Sequence, residues 1–149
     1  MARVRAPELR GRGWLNTGGR ELKIGELRGK IVLLDFWTFC CINCLHVLDE
    51  LRPLEQKYGD VLVVIGVHSP KFEHERDPAA LAAAVERYGV HHPVLDDADM
   101  AMWQQYASKA WPTCGARSSC WTSGRSVAST ACTCWTSCAR WRSVSPTCS

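Results

Sequence analysis

The chain has 149 residues, enough for one domain with a real core and no more. Its 22% charged and 46% hydrophobic residues suit an ordinary globular protein, and no run approaches the roughly 20 apolar residues that span a bilayer. The net charge of +3 joins two unlike pieces: residues 1–113 hold all 15 acids against 14 Lys and Arg, and the last 36 residues hold four Arg and no acid, so it is poor support for a nucleic-acid binder.

Residues 1–20 are Arg- and Gly-rich and read as a flexible charged arm. Pro7, Glu8 and Gly11 interrupt them, so no secretory leader is expected and the expected compartment is the reducing cytoplasm. Cysteines there are more often catalytic or metal-binding than structural. Leu22, Ile24 and Leu27 lead to Gly29 as a short packed strand or turn. Ile31 to Trp37 is a near-continuous apolar run, as in a strand buried on both faces, with Asp35 inside it. From Ile42 to Tyr58, Leu45, Leu48, Leu51 and Leu54 recur at helical spacing, and Pro53 is expected to kink that helix.

Val61 to Val67 is a second, β-branched strand, and His68 to Pro78 reads as a polar loop. Glu73, Glu75 and Asp77 are taken as solvated within it. A helix over Pro78–Tyr88, a short strand over His92–Leu95 and a helix over Asp97–Tyr106 follow. This alternation predicts a βαβ architecture around a parallel sheet.

The sharpest motif is Phe36-Trp37-Thr38-Phe39-Cys40-Cys41-Ile42-Asn43-Cys44. A Cys-x-x-Cys at a strand-to-helix junction is a redox arrangement. Cys41 would sit at the helix N-terminus, which stabilises thiolate, and Cys44 one turn on could resolve a mixed disulfide. The alternatives are small buried hydrophobes or half a zinc site built from Cys41, Cys44 and His46 or Cys40. No second Cys-x-x-Cys completes such a site.

The segment from Ile31 to Cys44 resembles the thioredoxin superfamily. The wording through His46, with Gly13-Trp14-Leu15-Asn16 upstream and Val67 to Phe72 downstream, resembles most the N-terminal thioredoxin-like (redoxin) domain of NHL-repeat-containing proteins. The resemblance implies a three-layer α/β/α sandwich. It implies Asp35 as buried proton acceptor for Cys44, and Trp111-Pro112-Thr113 as the cis-proline loop that faces the disulfide. Trp37, Trp111 and Thr113 would contact substrate. Ile42-Asn43 replaces Gly-Pro between the cysteines, so the redox poise does not carry over. No cofactor is expected beyond the Cys41–Cys44 dithiol itself. The partners implied are thiol or disulfide protein substrates, an external reductant and, in the family, a C-terminal β-propeller whose pattern is not found in these residues.

Two other functions are weighed: a non-catalytic interaction module on the same fold, and a thiol peroxidase. Thr38, three residues before Cys41, suits the peroxidase, but Leu34 stands where a peroxiredoxin carries proline. The match covers residues 1–113, with 21–113 as the domain. Residues 114–149 carry six cysteines and no apolar periodicity, and lack the pattern of the closing β-β-α unit. That tail is expected to be disordered and to leave the sandwich incomplete, marginally stable and open at one sheet edge. A coding-frame change explains it: Ile-Ile-Leu-Leu-Asp with G/C-ending codons, read one base late, gives Ser-Ser-Cys-Trp-Thr, the string at Ser118–Thr122. A genuine Cys-rich module is the rival reading.

Overall fold

The computed structural model describes residues 6–110 and the backbone of residues 127–129. Within them the elements run β1 (Gly13–Leu15), β2 (Ile31–Trp37), α1 (Ile42–Tyr58), β3 (Leu62–His68), α2 (Pro78–Arg87), β4 (Val94–Asp96), α3 (Ala101–Ala110) and β5 (Val127–Ser129). The sheet order is β1-β4-β3-β2-β5. β2, β3 and β4 are parallel neighbours, as crossovers through α1 and α2 require, and β1 lies antiparallel against β4.

Alternation along β2 builds two cores. Val32, Leu34 and Phe36 point to one face with Ile65, Val67, Leu95 and Met102. Trp37 points to the other, among Cys41, Cys44, Leu48, Leu81 and Val85. Thus α3 covers one face, α1 and α2 cover the other, and the fold is the expected three-layer α/β/α sandwich. Gly66 is required where the second core is tightest. A Cβ there would lie 2.9 Å from Trp37 Nε1 and 3.1 Å from His92 Nε2.

Three expectations need correction. Residues 6–20 are not a free arm. Leu9 is buried, Gly13–Leu15 pairs with Val94–Asp96, and Arg12 Nη2 meets Asp96 Oδ2 at 2.7 Å. Asn16 Nδ2 also donates to the carbonyls of Val90 and His92. Long-range pairing overrides the local Arg/Gly composition.

The segment after β3 is not merely a solvated loop. It holds a short 3-10 helix, Glu73–Arg76, with Glu75 buried. Finally, the tail does supply a sheet element: Val127–Ser129 runs parallel to Val32–Leu34. A sheet edge presents unpaired backbone donors and acceptors, and a segment can satisfy them without an apolar side-chain pattern. The described register with β5 covers Val32 to Leu34 of β2.

Pro53 sits inside α1, which runs unbroken from Ile42 to Tyr58.

Candidate functional site

The C-terminal end of β2 delivers the chain to the site. After Trp37, the amide of Cys41 bonds to the carbonyl of Thr38 at 3.2 Å, closing a turn. Cys41 is the N-cap of α1, and its carbonyl accepts from the amides of Cys44 and Leu45 at 3.0 and 3.2 Å. Cys41 and Cys44 are both buried, at 2% and 3% exposure. Three residues apart on the first turn, they are neighbours on one helix face. The N-terminus of a 17-residue helix favours negative charge on Cys41 sulfur. Cys40, half-buried, lies off this pair, with Sγ 3.3 Å from His74 Nε2.

Asp35 is buried at 3% and stands opposite Gly66 in the ladder. It is two residues from Trp37, so it shares the sheet face that α1 covers. Trp37 is 1% exposed and packs in the same core as both cysteines. Thr38, Cys44, Lys71, Trp37 and Trp103 line a small cleft at this end of the sheet. Trp111, Pro112 and Thr113 lie outside the described residues. His46 is exposed on α1, as a solvated residue would be.

Two residues that sequence reasoning set aside belong to this site. Glu75, 1% exposed, accepts from the Thr38 hydroxyl and from the Cys40 amide at 3.0 Å. It also accepts from the amides of Lys71 and Phe72 at 2.7 and 3.0 Å. The one signal for this was an acid placed to bond back to the start of a short helix, half of a capping box. The partners on the redox turn are more than thirty residues away and leave no local trace. The Thr38 hydroxyl proton is committed to Glu75, which weakens the peroxidase role of that threonine.

The second is His68, fully buried at the end of β3. Its ring stacks on Phe39 with centroids 5.3 Å apart and meets Trp37 edge-on at 5.5 Å. Burial pushes its pKa down to about 4, against the pull of Glu75 and Asp96, so the ring is neutral at pH 7. Unfolded, the imidazole takes up its proton near 6.5. Protons therefore favour the unfolded chain between these values. The contribution to stability is complete above pH 6.5 and declines by up to about 3 kcal/mol as the pH falls toward 4. Urea midpoints at pH 7.5 and pH 4.5 should differ accordingly, and His68→Phe should remove most of that difference. Equal pH slopes in the two proteins would contradict it.

Among the described residues no cluster of His, Cys, Asp or Glu is arranged to hold a metal, and no helix is long and apolar enough to cross a membrane.

Comparison with known proteins agrees with this geometry. A family model described as thioredoxin-like matches residues 29–114. The chain is 52% identical over 101 residues to protein SUPPRESSOR OF QUENCHING 1, chloroplastic, of Arabidopsis thaliana, covering 67% of this chain and 10% of that protein. It is 49% identical over 110 residues to NHL repeat-containing protein 2 of Gallus gallus, covering 72% and 15%. The chain thus spans a small part of these long relatives. With thiol-disulfide oxidoreductase YkuV of Bacillus subtilis it shares 32% identity over 108 residues, covering 71% of each. The solution structure of a thioredoxin-like protein in the oxidized form superposes with a TM-score of 0.60 at 28% identity, covering 69% of each chain. A fold with helices on both faces of a parallel sheet, a family model over more than half its residues and a relative matched over most of its length agree: this chain belongs to the thioredoxin-like family.

Proposed function

We propose that the chain is a thiol–disulfide oxidoreductase that works through Cys41 and Cys44. The observation that carries this reading is the pair of buried cysteines at the start of α1, Cys41 as its N-cap and Cys44 in its first turn, after the strand that ends at Trp37. The name of its relative YkuV supports it.

The Cys41 thiolate attacks a substrate disulfide, forms a mixed disulfide and expels one substrate thiolate. Cys44 gives its proton to Asp35 and attacks Cys41 sulfur, expelling the second thiolate. Two electrons pass to the substrate, and the Cys41–Cys44 disulfide remains. An external reductant restores the dithiol, and no other cofactor enters. Trp111, Pro112 and Thr113 are the substrate-contacting residues in this reading, and the substrate is a thiol or disulfide protein in the cytoplasm. Trp37, 1% exposed, packs behind the dithiol and does not contact substrate as the resemblance implied. In a longer protein of this kind the domain would work beside an NHL-repeat propeller.

Trapping tests the roles. Cys44→Ser should accumulate a mixed disulfide at Cys41 with oxidised glutathione or insulin, seen by mass spectrometry. The unaltered chain should turn over and leave an intramolecular Cys41–Cys44 disulfide. Adducts formed only at other cysteines, with no such disulfide, would sink the proposal.

A further inference from the structure

Glu75 bridges two segments at the dithiol. Its Oε1 accepts from Thr38 and Cys40 on the redox turn, and its Oε2 from Lys71 and Phe72 on the chain leaving β3. Three of the four partners are amides, which can only donate, and the fourth is a hydroxyl free to turn its proton inward. Such a set suits an ionised carboxylate, which accepts only, and it offsets the cost of burying the charge. The charge is then hydrogen-bonded to the amide of the residue immediately before Cys41.

We propose that Glu75 is a positioning residue of the dithiol: it fixes the turn that presents Cys41 and sets a negative charge against the forming thiolate, weighting the couple toward a reductant. This rests on the thiol–disulfide reading above. In that reaction Cys41 and Cys44 together lose two electrons and two protons, and the substrate disulfide takes both up as two thiols. Thiolate at Cys41 exists only on the reduced side. A neighbouring anion raises the free energy of that side and makes the dithiol a stronger electron donor. The N-terminus of α1 acts in the opposite sense.

Other ionisable groups surround the turn. Asp35 comes from β2, neutral His68 from β3, Lys71 from the chain beyond it and His74 from the short helix, with the Arg12–Asp96 pair at the sheet edge near His68. The substitutions below leave all of these in place.

The test uses the full chain and reads two quantities: the pH midpoint of Cys41 alkylation by iodoacetamide, and the dithiol–disulfide equilibrium with glutathione. Glu75→Gln is expected to lower the midpoint by about half to one pH unit. It should shift the equilibrium about tenfold toward the dithiol, or about 30 mV for a two-electron couple. Loss of a purely structural bridge would do the reverse, because Cys41 would leave the helix N-terminus and its midpoint would rise. An unchanged or raised midpoint in folded Glu75→Gln therefore overturns the proposal. If that variant does not fold, Thr38→Val decides. It keeps the charge and removes one donor, so the midpoint should rise by a few tenths of a unit, and an unchanged or lowered value overturns the proposal. A wild-type chain that forms no Cys41–Cys44 disulfide overturns the oxidoreductase reading instead. The alkylation midpoint needs no disulfide and still decides what Glu75 does.

Discussion

Cys41→Ser is expected to lower the rate of disulfide exchange by at least about a thousandfold, in line with losses on removing an enzymic nucleophile. The domain should remain folded. Cys41 is the N-cap of α1, and serine is among the residues most favoured there. A capping hydrogen bond to the first-turn amides, about 1 kcal/mol, offsets the cost of placing a hydroxyl where only 2% of the residue is exposed. Turnover of a disulfide substrate with glutathione as reductant, beside a thermal melt, checks both halves. A folded variant that keeps a tenth of the wild-type rate would exclude Cys41 as the attacking group. The non-catalytic interaction module instead predicts no exchange even in the unaltered chain, and partner binding that Cys41→Ser leaves intact.

The second large effect concerns stability. Leu34 is fully buried at the centre of β2, between Ile65 of β3 and the register position of Ser129 in β5. Leu34→Ala is expected to cost about 2–5 kcal/mol, from lost apolar burial and the cavity left behind. Small domains hold only about 5–15 kcal/mol in total, so the melting temperature should fall by roughly 10–20 °C. Leu33 is only half-buried and points to the opposite face, so Leu33→Ala should cost about 1 kcal/mol. Equal losses at the two positions would contradict the assignment of sheet faces. A wild-type chain with no cooperative transition would instead bear out the marginal stability expected of a domain with so irregular a tail.

The redox turn was legible because its signals are local. An apolar strand, two cysteines three apart and a leucine repeat at helical spacing all lie within Ile31–Tyr58, and the observed bounds of β2 and α1 coincide with those expected. The β3 and α2 bounds differ by a residue at one or both ends, as terminal turns and strand ends commonly do. The helix expected over Asp97–Tyr106 starts later, at Ala101. Asp97 instead receives the amides of Met102 and Trp103 at 2.9 and 3.0 Å and caps the first turn. Its acidity signalled the helix start, as the dipole predicts, from outside the helix.

What went unread was non-local. Arg12 looks like one of several arginines in a polar arm until Asp96, 84 positions on, is brought beside it. Glu75 looks like one acid of three in a loop until the chain folds back on the redox turn and buries it alone, with Glu73 and Asp77 left exposed. His68 shows no ligand spacing, and none was needed: Phe39 and Trp37 enclose it by stacking.

By itself the sequence determined the alternation of strands and helices, the two-sided burial of β2 and the place of Cys41 and Cys44 at a helix start. Each follows from periodicity, and periodicity is a property of neighbouring residues. Only the tertiary structure decided which carboxylate meets the redox turn, which histidine is held neutral, and that β1 and β5 join the sheet. Those outcomes depend on desolvation and on hydrogen bonds closed between distant segments, and no local pattern encodes either.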